Sequence, residues 1–150
     1  MTPDKDRLRR ISALKRKQSI DVFREREVYG KLLYEKNLAN AKLSQLKLTM
    51  QTYMEAHRNK RQQSETIDPV LDDLYRHYFS ELEITIYQAE KEFQRISGLV
   101  QESVALLHKK NASLNMYETK ETELSNGLQA AKVKSELVDL AKEKTYMEVE

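Results

Sequence analysis

Near the middle of the chain stands Gln62-Gln63-Ser64-Glu65-Thr66-Ile67-Asp68-Pro69, followed by Val70-Leu71-Asp72-Asp73-Leu74. This segment has the features of a helix start, because Asp68 can cap free amide groups and Pro69 suits the first helical position. The residues just before it include cations, which a helix C-terminus favours: Arg58, Lys60 and Arg61. The segment predicts a first helix at about 4–63, a loop at about 64–68 and a second helix at about 69–146, forming a single helical hairpin.

The composition of the 150-residue chain supports an all-α fold. It holds three glycines and two prolines, too few turn residues for a many-stranded sandwich or barrel. Charged side chains make up 33% and hydrophobic ones 39%, so a wide globular core would be hard to fill. The beginning of the chain contains no apolar stretch that would serve as a signal sequence or membrane span. The default expectation is a soluble cytoplasmic protein.

In both predicted helices, mainly apolar residues recur at alternating spacings of three and four, as in a coiled coil. In the first helix they are Tyr29, Leu32, Lys36, Ala39, Leu43, Leu46, Met50 and Tyr53. In the second they are Tyr75, Phe79, Leu82, Ile86, Ala89, Phe93, Ile96, Val100, Ser103, Leu107, Lys110, Leu114, Tyr117, Glu121, Leu124 and Leu128. If the chain folds back at the loop, positions whose numbers add to about 132 face one another across a seam. Large residues then meet apolar or small ones, as in Leu46 with Ile86 and Leu43 with Ala89. The predicted fold is therefore two long helices in an antiparallel coiled-coil hairpin.

Further from the loop, the same register places polar residues in the seam, such as Lys15 with Tyr117 and Ile11 with Glu121. Polar seam residues fix register at a cost in stability, or they mark a surface that another protein completes. Beyond Leu124 the second helix has no predicted partner, although its heptads continue through Leu128, Ala131 and Val138. We expect this unpaired part of the second helix to insert into a partner, unless Asn126-Gly127 interrupts the helix.

Charge is distributed unevenly between the two ends of the chain. Residues 1–30 hold nine Lys or Arg against five Asp or Glu, and residues 118–150 hold five against eight. The opposite charges of the two ends attract each other. This attraction helps the hairpin to close, or else the N-terminal cations form a basic face for an acidic partner surface.

The sequence offers no recognisable catalytic or metal-binding chemistry. There is no cysteine, no glycine-rich phosphate loop and no pair of histidines at metal-ligand spacing. His57, His77 and His108 are expected at solvated helix positions. The expectation is a protein with no enzymatic activity and no cofactor, and with no nucleic-acid partner because acidic residues dilute its basic N-terminal stretch.

Several apolar residues fall outside the predicted seam, and exposed apolar patches imply partners. They are Tyr34, Leu48, Leu71, Leu74, Tyr78, Ile84 and Tyr87. For Leu71 and Tyr78, the alternative is that they flank and shield the seam.

The length, the two unequal helices and particular residues resemble a known family: the small coiled-coil stalk proteins of type III secretion, called YscO in injectisomes and FliJ in flagella. The opening Leu8-Arg9-Arg10-Ile11, followed by Leu14, is similar to the family's start. Similar runs close the first helix and open the second: Leu43, Leu46, Met50 and Tyr53, then Tyr78, Leu82 and Ile86.

The resemblance implies a monomeric, non-enzymatic stalk at the centre of the hexameric secretion ATPase. Such a stalk would also contact the cytoplasmic domain of the export gate and the secretion chaperones. It would be cytoplasmic and peripheral to the inner-membrane apparatus, without inserting into the membrane. Thr49, Thr85 and Ala89 depart from the flagellar pattern and favour an injectisome, an apparatus associated with virulence.

The resemblance also implies two sets of site residues. Those for the export gate or chaperones match the family pattern near the hairpin tip: Leu46, Tyr53, Tyr78 and Leu82. Those for the ATPase fall on the open end: Arg7, Arg9, Arg10, Ile11, Lys15, Leu128, Ala131 and Val138.

Two other functions stay open. One is a structural coiled-coil scaffold or spacer that self-associates through its heptads. The other is a nucleic-acid or anionic-membrane binder that acts through the basic first turns, with association that falls steeply as salt rises.

Overall fold

A computed structural model describes residues 3–63 and 68–149, with side chains described as far as 147. Helix α1 spans Pro3–Gln63 and helix α2 spans Pro69–Val149. The described residues contain no strand. The predicted all-α fold, with two long helices packed against each other, is confirmed. Residues 64–67 of the predicted loop lie outside the described residues.

The start of α2 has the predicted cap. The Asp68 side chain accepts a hydrogen bond from the Val70 amide at 3.0 Å, and the Asp68 carbonyl accepts one from the Asp72 amide at 3.0 Å. The side-chain bond satisfies the Val70 amide, which has no partner inside the helix, and the bond from Asp72 is the first i→i−4 bond of α2. Pro69 has no amide hydrogen to satisfy.

Helix α2 passes through Asn126-Gly127 without interruption. No described residue has the positive φ angle that would mark a glycine-terminated helix. A lone glycine inside a helix costs only about 1 kcal/mol relative to alanine, which a long helix tolerates.

The chain divides into two compact units. The loop unit is Glu27–Ala105, and the terminal unit combines Met1–Arg26 with Leu106–Glu150. In each unit, a stretch of α1 packs against a stretch of α2.

The core of the loop unit is the predicted seam. Its buried members are Leu43, Leu82, Ile96, Val100 and Ser103. The other seam positions predicted in this unit are half-buried, except Tyr53, which is 42% exposed. The 3-4 spacing therefore identifies the packed face of both helices here.

The core of the terminal unit is thinner. Val22 is its buried apolar residue, and most other seam positions are half-buried, including Leu114, Leu124 and Leu128. Every residue from 129 to 147 is exposed. The packed seam therefore ends near Leu128, and we call residues 129–147 the overhang.

Candidate interaction surfaces

The predicted gate residues all lie in the loop unit, but they differ in how much surface they present. The rings of Tyr53 and Tyr78 pack together, with centroids 4.5 Å apart and planes 33° apart. Tyr78 and Leu46 are half-buried, whereas Leu82 is only 8% exposed. Because Leu82 is a core residue, a partner would meet chiefly the two tyrosines.

The two tyrosines belong to a larger aromatic cluster between α1 and α2. The His57 ring lies 4.5 Å from the Tyr75 ring and 5.9 Å from the Phe79 ring, and Tyr78 lies 6.3 Å from Phe79. The expectation that His57 is solvated was wrong, because the ring is half-buried among these side chains. Its neighbours lie across the hairpin, and a reading of α1 alone does not reveal them.

Asp72 forms the polar centre of this end of the loop unit. Its Oδ1 accepts hydrogen bonds from Arg61 Nη2 at 2.8 Å and His57 Nε2 at 3.3 Å, and Arg76 Nη2 lies 3.4 Å from Oδ2. Burial by itself would raise the pKa of Asp72, but the charges of Arg61 and Arg76 and the hydrogen bonds from Arg61 and His57 lower that pKa below its ordinary value. Asp72 thus ties the last turns of α1 to the first turn of α2.

The outer faces of the loop unit carry the apolar residues that the sequence singled out. Tyr34, Leu48, Leu71, Leu74, Ile84 and Tyr87 are exposed, and Tyr78 is half-buried. The ammonium of Lys91 lies 4.6 Å from the centre of the Tyr87 ring, so this ring already has a cationic neighbour.

The predicted ATPase residues all lie in the terminal unit, where they occupy two kinds of environment. Arg7, Arg9 and Arg10 are exposed, whereas Ile11 and Lys15 are half-buried. On α2, Leu128 is half-buried, and Ala131 and Val138 are exposed.

Lys15 is engaged inside the terminal unit. Its Nζ lies 2.7 Å from Oε1 of Glu121, and Ser12 donates a 2.8 Å hydrogen bond to Oε2 of the same carboxylate. The hydrogen bonds from Lys15 and Ser12 lower the pKa of Glu121, against the opposing effect of burial. Lys15 therefore connects α1 to α2, and a partner would have to compete for it.

Other polar residues of the terminal unit also pair across the seam. Gln18 donates a hydrogen bond to the Lys110 carbonyl at 3.0 Å, and Lys110 Nζ lies 3.4 Å from Oε2 of Glu25. Of the two explanations for a polar seam, this pairing supports a role in setting register, because these groups find partners across the seam itself.

Besides Ala131 and Val138, which the seam pattern picked out, the overhang carries other exposed apolar side chains. Val133, Leu137, Leu140 and Met147 are all exposed. They continue the 3-4 spacing in a different register from Leu128, and that spacing was the signal by which the sequence could have revealed them.

The described residues contain no grouping of three or more His, Cys, Asp or Glu arranged to hold a metal ion. Over the same residues, neither helix has an apolar stretch of the length that a membrane crossing requires. No protein-family model matches this chain, and no curated protein or solved structure is significantly similar to it.

Proposed function

We propose that this protein is a non-enzymatic central stalk of a bacterial type III secretion system, which binds the secretion ATPase ring, the export gate and substrate chaperones. The observation that carries the proposal is the overhang, a run of 19 exposed residues of α2 beyond the packed seam that places apolar side chains in solvent. Exposed apolar surface of this kind calls for a partner. The hairpin fold is compatible with a stalk, and the resemblance of the sequence supplies the identity of the partners.

The terminal unit would bind the ATPase. Arg7, Arg9 and Arg10 add exposed positive charge on α1, and the overhang adds apolar surface on α2. A single shaft inside a ring of six subunits cannot contact all six in the same way. Its presence would therefore favour closure of some subunits over others and promote ring assembly or ATP turnover.

The loop unit would bind the gate or the chaperones through Tyr53 and Tyr78. Tyrosine suits an interface because it buries a large ring while its hydroxyl stays hydrated.

Replacing Tyr53 with alanine removes a partly exposed ring and should weaken binding of the gate or chaperones while leaving helicity nearly unchanged. A large loss of helicity would mean that the ring is part of the core.

The first experiment is co-purification with the secretion ATPase of the same bacterium, while the ATPase rate is recorded. The full chain is compared with a version that ends at Leu128, which keeps the packed seam but lacks the overhang. The proposal expects binding and stimulation by the full chain and loss of both on truncation. Circular dichroism of the truncated protein is the control for folding.

The absence of binding by a helical, monomeric full-length protein would contradict the stalk function and favour a self-associating scaffold. The scaffold function is favoured by one observation: the outer face of α1 exposes Tyr34 and Leu48. Under that function the hairpins would associate with one another instead of with an ATPase.

A further inference from the structure

The apolar side chains of the overhang form one stripe along α2. Val133, Leu137 and Leu140 follow one another at spacings of four and three, and all three are exposed. Ala130 precedes them at the same spacing, and Met147 lies two spacings after Leu140. Residues spaced in this way share one face of a helix. We call these five residues the overhang stripe.

The overhang stripe does not continue the seam. At 3.6 residues per turn, Leu137 lies about 180° around the helix from Leu128, and Val133 lies about 180° from Leu124. The positions that do continue the seam are Ala131, Ser135, Val138 and Lys142, so that face carries two polar residues and no apolar side chain larger than valine. The overhang thus turns its leucines and Met147 away from the direction in which α1 packs on α2 in the terminal unit, so extending the hairpin would not cover the overhang stripe.

The two flanks of the stripe differ in charge. Glu136 and Glu143 lie along one edge, and Lys134 and Ala141 lie along the other. Flanking charges of this kind determine which helix is able to pack against an apolar stripe, and in which orientation. Glu136 and Glu143 favour a neighbouring helix with basic side chains on the facing edge.

A second copy of this chain does not fit that requirement. If two overhangs packed antiparallel with Leu137 opposite Leu140, Glu136 of each copy would meet Glu143 of the other. Lys144 lies on the same face, between Leu140 and Met147, so two overhangs packed parallel in register would bring the two copies of Lys144 together. Both arrangements bring like charges together beside the apolar contact.

We propose that the overhang stripe binds an amphipathic helix of a different protein, one that places Lys or Arg side chains beside Glu136 and Glu143. This inference deepens the proposed function. It rests on that function only in assigning the helix to a protein, the secretion ATPase. The contact centres on Leu137 and Leu140, on the side of α2 opposite to Ser135.

The probe is a synthetic helical peptide of about three heptads, with leucines at 3-4 spacing and lysines at the flanking positions. A matched peptide carries glutamates at the same flanking positions. Binding of each peptide to the full chain is measured by fluorescence anisotropy. The lysine peptide should bind at least about tenfold more tightly than the glutamate peptide, and the double variant E136K/E143K should reverse this preference.

Leu137→Asp and Ser135→Asp form a matched pair of variants. The two residues are two positions apart, are both exposed, and face directions about 160° apart. Leu137→Asp should weaken binding of the lysine peptide by at least about tenfold, and Ser135→Asp should change it little. Circular dichroism shows whether both variants keep their helicity, and Leu140→Asp repeats the test one turn further on.

Three results would overturn the inference. They are equal binding of both peptides, an equal effect of the two aspartate variants, and self-association of the full chain that Leu137→Asp abolishes. The last of these would assign the stripe to a second copy.

The ATPase co-purification experiment distinguishes failure of this inference from failure of the proposed function. If the full chain fails to bind the ATPase but discriminates between the peptides as expected, the stalk function is wrong and the inference stands. If Leu137→Asp binds the ATPase as the unaltered chain does, the proposed function stands and the inference is wrong.

Discussion

Asp72 shows how one carboxylate can join two helices. It accepts hydrogen bonds from His57 and Arg61 of α1, and Arg76 of α2 lies close to its other oxygen. These groups all favour the ionised carboxylate, and their combined effect exceeds the opposing effect of burial. The network therefore depends on pH.

The lowered pKa of Asp72 predicts a loss of stability in acid. The stabilising effect is fully present above the ordinary pKa of 3.8, which applies to the unfolded chain, and it disappears as the pH falls through the lower pKa of the folded state. Asp72→Asn should therefore be less stable than the unaltered chain near pH 7, and the difference should shrink in this acid range. Urea unfolding followed by circular dichroism at several pH values measures it.

Asp73→Asn is the control for this prediction, because Asp73 is the exposed neighbour of Asp72 in the same helical turn. It removes the same charge without disturbing the Asp72 network. If Asp72→Asn and the unaltered chain lost stability in parallel on acidification, the network would have no part in the pH dependence.

Leu82 illustrates how a residue in a binding motif can belong to the core. Because it is buried in the seam, Leu82→Ala should lower the free energy of unfolding by about 2–5 kcal/mol, through lost burial and the cavity left behind. Leu48→Ala removes the same atoms from an exposed position and should cost less than about 0.5 kcal/mol. Urea unfolding compares the two variants, and equal costs would mean that the seam is not packed around Leu82.

At the scale of the element, the helical structure of the overhang depends on helix propensity more than that of the rest of α2 does. Elsewhere, packing against α1 stabilises the helix, whereas residues 129–147 are exposed throughout. A helix without tertiary packing is only marginally stable in water. A partner that covers the overhang stripe would add the packing that this part of the helix lacks.

This dependence makes Gly127 a sensitive position. A Cβ atom added at Gly127 would meet open space, and its φ angle is not positive, so alanine fits without strain. Gly127→Ala should stabilise the helix locally by about 0.5–1 kcal/mol. Amide hydrogen exchange in the overhang should slow accordingly. Gly30→Ala is the matched control, because Gly30 also has open space around it but lies in the loop unit; an equal slowing with Gly30→Ala would contradict the prediction.

At the scale of the whole molecule, the state of association separates the two candidate functions. The stalk function predicts a monomer, because the seam is filled by the two helices of one chain. Sedimentation equilibrium of the full chain should give a mass near 17.7 kDa over a wide range of concentrations. A mass near twice that value, lost in a variant that carries Tyr34→Asp and Leu48→Asp, would support the scaffold.

The elements and the packed face of this protein could be predicted from the sequence because both depend on local information. The Asp68-Pro69 cap involves neighbouring residues only, and the 3-4 spacing determines which side of each helix is apolar. The exposure of residues such as Tyr34 and Leu74 follows from the same periodicity.

Only the tertiary structure decided which side chains pair across the helices. The predicted register put Lys15 opposite Tyr117, but a long side chain reaches a full turn along its partner helix, and Lys15 pairs with Glu121. Contacts with the other helix also determine the burial of His57 beside Asp72 and the unequal exposure of Tyr53 and Leu82. Periodicity assigns a residue to a face of its helix, whereas contact depends on side-chain length, direction and the neighbours supplied by the other helix.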